Sequence, residues 1–240
     1  MKAVILAAGL GSRLRPITDK VPKCMVPVNG IRIIDKQIDN LVKNGVKDIC
    51  VVSGYKSEIL DRHLQEHYPF VTIVPNVRYS ETNNMYSLYL TRDFVGEDEF
   101  MLMNADVYFD ANIISGMLED VDCSKIACDR SQYLDESMKV VTDENEKIIR
   151  ISKKIPEGEH YAVSIDVYRI SVEDSRTLFA EVLDTIEARK DENSWTEVAL
   201  DRIFDRSNFR PYVIAGRWFE IDNHEDLHRA EVIFKGDSIG

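Results

Sequence analysis

The clearest chemistry in this 240-residue chain lies in Leu6-Ala7-Ala8-Gly9-Leu10-Gly11-Ser12-Arg13-Leu14-Arg15-Pro16, with Pro22-Lys23 close behind. Gly9 and Gly11 follow an apolar run, and glycine lets backbone N–H groups approach an anion closely because no Cβ intervenes. Arg13 and Lys23 add fixed positive charge of the kind that pairs with a phosphate chain. The dinucleotide fingerprint is excluded, since it wants a third glycine where Leu14 stands, and no Walker A Gly-Lys-Ser/Thr occurs. The plain alternative is a strand-to-loop turn flanked by surface basic residues; Pro22-Lys23 weighs against it. A second constellation, His63-Leu64-Gln65-Glu66-His67, has the spacing of an inverted zinc-peptidase motif. It flanks the apolar stripe of a helix joining two strands, whereas α/β folds keep their ligands at strand C-terminal ends. Two partly exposed helix histidines are the expectation.

The elements that must position these residues alternate. Apolar runs predict strands over 3–7, 48–53, 71–74 and 100–103, and helical periodicity marks 33–45, 59–68 and 85–94. That rhythm predicts βαβ units, a mostly parallel sheet and helices on both faces. After about residue 125 it changes to short strands with polar turns at 139–142, 147–152 and 163–170. Helices over 172–189 and 196–205, a strand at 212–214 and a last helix over 225–234 follow, with Asp222 or Asn223 as its N-cap. The expected fold is a single α/β domain over 1–240, Rossmann-like and doubly wound, with a small β-rich insertion.

Composition bounds the function. Hydrophobic residues make up 44% and charged ones 30%, which excludes disorder and collagen-like repetition. A net charge of −12 makes nucleic acid and anionic membrane unlikely partners, and no apolar run is long enough to span a bilayer. Residues 1–32 run against this, with six basic residues and one acid, a net +5 that leaves −17 for the rest. The short apolar start is followed at once by a basic segment, unlike a secretory signal. Cys24, Cys50, Cys123 and Cys128 form no Cys-x-x-Cys pair and read as free thiols in a reducing cytoplasm.

Gly9-x-Gly11-x-Arg13-Leu14-x-Pro16-x-Thr18, then Pro22-Lys23 and Pro27-Val28, resembles the signature loop of nucleotidyltransferases that activate sugar phosphates and related phosphate monoesters. The resemblance covers nearly the whole chain. It implies a first magnesium carboxylate at Asp106, in Asn104-Ala105-Asp106, and a second at Asp222, before the terminal helix. Paired carboxylates at strand ends suit a Mg²⁺ that bridges to phosphates. Taken singly, Asp106 also reads as a surface turn residue and Asp222 as a helix cap. Where the sugar branch carries Gln-x-x-Pro-x-Gly, this chain has Asn83-Asn84-Met85-Tyr86-Ser87-Leu88-Tyr89, similar to choline-phosphate and phosphonate cytidylyltransferases.

That branch implies CTP as donor, with pyrophosphate released and the product destined for surface polysaccharide or lipid. Arg13 and Lys23 would be catalytic, and Leu6, Ala7, Ala8, Gly9, Gly11, Gly54, Asn83, Asn84 and Ala105 would bind nucleotide in a half spanning 1–110. Tyr86, Lys139, Lys153, Trp195, Glu197 and Glu220 are the candidate acceptor contacts, in a part spanning 125–222. For Lys139 and Lys153 the bland reading is a solvated strand end; for Asn83 and Asn84 it is capping the helix that starts near Met85. A choline headgroup would want aromatics, and Tyr86, Tyr89, Trp195 and Trp218 are available. The rivals are a sugar-1-phosphate nucleotidyltransferase and a non-catalytic nucleotide sensor. Oligomeric state stays open, a homodimer included.

Overall fold

Strand β1 (Lys2–Leu6) has four of five residues buried and hydrogen-bonds on both sides, which places it at the middle of the sheet. The computed structural model describes residues 1–119 and 122–236. The remaining strands are β2 (Pro27–Val28), β3 (Ile31–Arg32), β4 (Asp48–Ser53), β5 (Thr72–Pro75), β6 (Phe100–Asn104), β7 (Val107–Phe109), β8 (Ser124–Asp129), β9 (Lys139–Thr142), β10 (Ile148–Ser152), β11 (Ala162–Ile170), β12 (Phe209–Val213) and β13 (Trp218–Glu220). The helices are α1 (Ile33–Lys43), α2 (Ser57–His67), α3 (Asn84–Leu90), α4 (Arg92–Val95), α5 (Ala111–Leu118), α6 (Val172–Leu183), α7 (Thr196–Ile203) and α8 (His224–Ile233).

The central sheet runs β10-β9-β11-β6-β1-β4-β5, with β8 and β12 branching from β11. Its middle is parallel, β5-β4-β1-β6. The chain leaves β1 toward β4 and β5, then returns to place β6 on β1's other side. This reversal is the switch point at which open α/β sheets bind ligands, just beyond the strands' C-terminal ends. The loops after β1 and β6 meet there, carrying the glycines and Asp106. The β-rich part is an extension of the same sheet, because β11 pairs antiparallel with β6.

Alternate residues of each central strand enter opposite cores, as the two-residue period requires. Val4, Cys50 and Leu102 pack with Leu88 of α3, Val182 of α6 and Leu200 of α7. Ile5, Val51 and Met103 pack on the other face with Ile38 of α1, Leu64 of α2 and Ile113 of α5. Each such side chain, fully removed from water, contributes about 1.5–3 kcal/mol. A third cluster holds Leu14, Val26, Ile221 and Leu227 together, fixing the glycine loop against α8.

Two local expectations need correcting, the single helix over 85–94 and the partly exposed His63, and two others are made specific. The helix expected over 85–94 is two, because it breaks at Thr91. Asn223 alone caps α8, its side chain accepting from the backbone of Glu225 and Asp226 while Asp226 bonds back, which frees Asp222 for other work. His63 is 6% exposed, and its Nε2 lies 2.5 Å from Asp35 Oδ1, so it ties α2 to α1 instead of facing water. The +5 of the first 32 residues does not form one patch. Lys2 pairs with Asp98, Arg15 with Asp19 and Arg32 with Asp35, and only Arg13 and Lys23 reach the switch point.

All four cysteines are free and buried. Burial pushes the Cys24 and Cys50 thiols up to about 12 and raises that of Cys128 as well. Among the described residues no helix is long and apolar enough to cross a membrane.

Candidate active site

A cleft of about 370 Å³ opens above the C-terminal ends of β1 and β6. Leu6, Ala8 and Gly9 form one wall, Asn83 and Asn84 at the start of α3 a second, and Asp106, Glu220 and Asp222 part of the floor. Gly9 has no positive φ, and a Cβ built on it meets nothing within 4 Å. Nothing in the protein itself requires glycine there; the bare backbone faces the cleft. Gly11 is different. Its φ is +59°, and an added Cβ would lie 2.8 Å from Lys23 Cβ, so it sets the position of Lys23. Gly54 also acts from behind, since a Cβ there would strike Ala8 and Tyr79 at 2.8 Å. Ala7 and Ala105 lie in the core beneath the loops.

Lys23 bridges the two carboxylates that the motifs singled out, with Nζ 2.7 Å from Asp106 Oδ2 and 2.6 Å from Asp222 Oδ1. Arg13 donates to the other oxygen of Asp222 at 2.8 Å. Burial works against the charge on Lys23, yet the two carboxylates hold its ammonium above the ordinary lysine range. Burial likewise opposes the charge on Asp222, and Lys23 and Arg13 hold its carboxyl below the usual range. Glu220 joins this group rather than standing apart as an acceptor contact. One oxygen each from Asp106, Glu220 and Asp222 lies within 4.8 Å of the others. Burial, then Asp106, Asp166 and Asp222, push the Glu220 carboxyl well up. The residues fit a divalent cation: Asp106 Oδ1 is buried without a hydrogen-bond partner, beside two further oxygen donors of the hard kind that such ions take.

The cleft lining also includes Lys153, Trp195, Glu197 and a residue not anticipated, Asp166, whose Oδ2 accepts from Asn104 Nδ2 at 3.0 Å. Lys153 stacks over the Trp195 ring at 5.0 Å. Asp166 sits mid-strand with φ +56°, where the pairing of β11 with β8 slips between Ser164 and Tyr168. Such irregularities re-aim side chains, and non-glycine residues held there mark functional positions. Tyr168's hydroxyl lies 3.0 Å from both Asp166 Oδ1 and Glu197 Oε1. One hydroxyl hydrogen serves one acceptor, so the second contact requires a proton on a carboxyl. Burial, then Glu197 and Asp106, push Asp166 up to about 7, and burial also raises Glu197. Because the folded value lies above the unfolded one, this group's stability contribution is full below about pH 4 and is lost as pH rises through 7. Replacing Asp166 with Asn flattens the dependence of urea-unfolding stability on pH between 4 and 7; an unchanged slope would refute the assignment.

Two expected acceptor contacts lie elsewhere. Tyr86 packs under the Arg78 guanidinium, 5.3 Å from ring to charge, away from the cleft lining. Lys139 is fully buried, and its Nζ donates to the backbone oxygens of Leu134 (3.3 Å) and Asp135 (2.9 Å). It anchors the loop that brings Ser137 to 3.4 Å from Glu220, and burial lowers its pKa. Asn83 does cap α3, accepting from the Asn84 N–H, while Asn84 Oδ1 accepts from the backbone of Thr196 in α7. Both also line the cleft. Asn76 and Tyr79 line the cleft with no motif to show them, and Thr82, Ser87 and Asn104 line it from within or beside the motifs, where no role was assigned to them.

A glycine loop at the sheet's switch point thus shares one cleft with the carboxylates of Asp106, Glu220 and Asp222. The nucleotidyl transferase family model matches residues 2–233, and the chain belongs to that family. A choline-phosphate cytidylyltransferase of Streptococcus pneumoniae is 43% identical over 113 residues, 47% of this chain and 48% of that enzyme. That alignment spans about half the length of the relative. A CTP:phosphoglutamine cytidylyltransferase of Campylobacter jejuni is 28% identical over 248 residues, covering 95% of this chain and 98% of its own. The solved structure of the CTP:phosphocholine cytidylyltransferase LicC from Streptococcus pneumoniae superposes with TM-score 0.82 at 26% identity, covering 98% of this chain and 99% of that one. Further relatives, each aligned over less than half of this chain, include a 2-aminoethylphosphonate cytidylyltransferase of Lancefieldella rimae and a UTP–glucose-1-phosphate uridylyltransferase of Haloferax volcanii.

Proposed function

We propose that this chain is a CTP-dependent cytidylyltransferase joining CMP to a small aminated phosphonate or phosphate monoester, of the 2-aminoethylphosphonate or phosphocholine type. The observation that carries this reading is one cleft lined both by the glycine loop with Asp106 and Asp222 and by Asp166, Glu197 and Trp195. A phosphonate or phosphate oxygen of the acceptor attacks the α-phosphorus of CTP, and the bond to the β-phosphate oxygen breaks to release pyrophosphate. The attacking oxygen is ionised at neutral pH, so no general base is required and catalysis rests on positioning and electrostatics.

The half spanning 1–110 binds the nucleotide. Backbone N–H groups of residues 8–11 face the phosphates, with Leu6, Asn83 and Asn84 beside the base and ribose. Arg13 and Lys23 stabilise charge on the α-phosphoryl group and the departing pyrophosphate. Mg²⁺ held by Asp106 and Asp222, with Glu220 adjacent, would neutralise phosphate charge. At the acceptor end, in 125–222, Lys153 suits the acceptor's anionic group, and the Asp166 and Glu197 carboxyls and the Trp195 face suit its ammonium. The product would serve a cytoplasmic supply of activated headgroups for surface polysaccharide or lipid.

Pyrophosphate release, measured with CTP or UTP against 2-aminoethylphosphonate, phosphocholine, phosphoethanolamine and glucose 1-phosphate, tests the reading. CTP with an aminated acceptor should be fastest. Glucose 1-phosphate reacting fastest would favour the sugar branch, which the uridylyltransferase relative supports; no release with any pair would favour a sensor. Asp166→Asn should raise KM for the aminated acceptor at least tenfold and leave KM for CTP unchanged. Asparagine also tolerates a positive φ, so the variant keeps its fold. An unaltered acceptor KM would remove Asp166 from recognition.

A further inference from the structure

The geometry points to Lys23 as a built-in counter-cation that occupies the place of the divalent metal and must leave before the metal can enter. This rests on the metal reading given above. The ammonium lies 2.7 and 2.6 Å from the Asp106 and Asp222 oxygens that face each other. A divalent cation held by the same two oxygens would claim the volume the ammonium fills, with Asp106 Oδ1, which has no partner, free to join it. On those two oxygens the cations exclude each other.

The ammonium meets the two acids through hydrogen bonds of 2.7 and 2.6 Å, longer than the about 2.1 Å of a magnesium–oxygen bond. Without it, three partly buried acids would face one another, compensated by Arg13, which pairs with Asp222 from a largely exposed position, and by the field of Lys153.

The same packing shows how Lys23 can move. Its Cβ is fixed against Gly11, so the swing is confined to the outer stem. That stem springs from beside the glycine loop, where a triphosphate would offer the released ammonium a new anionic partner. Metal entry and nucleotide entry are thereby coupled: each is costly alone, and together each relieves the other's cost. Lys23 then has two stations, the carboxylates in the resting protein and the phosphates in the loaded one.

The test is Mn²⁺ binding without nucleotide, followed by electron paramagnetic resonance on the full chain, with melting temperature alongside. Lys23→Gln should bind Mn²⁺ at least tenfold more tightly than wild type. It should melt lower than wild type in metal-free buffer and gain more from Mn²⁺. Lys23→Met, which keeps the apolar stem and its packing, should behave the same way if the glutamine variant folds poorly. Wild-type or weaker Mn²⁺ affinity in a folded variant overturns the counter-cation role while leaving the metal site standing. No Mn²⁺ binding by wild type or either variant overturns the metal reading, and the counter-cation with it.

Discussion

Asp106→Asn lowers turnover about a thousandfold, equivalent to about 4 kcal/mol of barrier, and leaves the fold intact. The side chain is nearly isosteric, and the backbone oxygen of residue 106, which accepts from Ile221 N–H at 2.9 Å, is untouched. What is lost is one negative charge at the point where Lys23 and the divalent ion would both bind. Glu220 and Asp222 remain, so the residual site binds cations more weakly and places them less well. Pyrophosphate release at saturating CTP and acceptor measures the effect, with circular dichroism and melting temperature as controls. Full activity at limiting Mg²⁺ in the folded variant would refute the assignment of Asp106.

The second large effect separates two glycines that look equivalent in sequence. Gly11→Ala loses stability, because a left-handed conformation costs an alanine about 1–2 kcal/mol and its methyl would press on Lys23 Cβ at 2.8 Å. With overpacking of about 1–3 kcal/mol, the melting temperature should fall on the order of 10 °C. Gly9→Ala has no such conflict, since its φ is not positive and the methyl meets only open space. Its stability should stay within about 0.5 kcal/mol of wild type, while CTP binding weakens at least tenfold because the methyl enters the cleft. Calorimetric melting and CTP titration of both variants decide this. A destabilised Gly9→Ala with normal CTP affinity, or a fully stable Gly11→Ala, would reverse the two roles.

This pair also shows what the sequence made legible. The loop after β1, Asp106 after β6 and Asp222 before α8 could be read because each depends on a short local pattern: a buried strand, then glycine or an acid at its C-terminal end. Glu220 had a signal that pointed further than it was followed, since residues two apart on an extended chain face the same side. Lys139 and Tyr86 were misplaced because which way a strand-end or helix side chain points depends on distant partners, here the loop around Leu134 and the Arg78 guanidinium. Asp166 was missed for a related reason. The slip in β11 turns it toward the cleft, and no run of residue types announces a slip; the one hint was a lone acid inside an apolar strand. The basic start of the chain does not act as one unit, because folding sends Lys2 and Arg32 to partners outside the cleft.

The four buried cysteines have a practical consequence. Thiol reagents attack the thiolate, and in the folded chain burial hides the sulfurs and keeps those of Cys24 and Cys50 protonated at neutral pH. The native protein should therefore be nearly silent toward such reagents until it opens. Cys50 lies in a central strand, Cys24 in the turn beside Lys23, Cys123 just before β8 and Cys128 within it, where β8 pairs with β11 and β12. The order in which the four become labelled under mild denaturant would chart which parts of the molecule loosen first, with the wild-type chain serving as its own set of reporters.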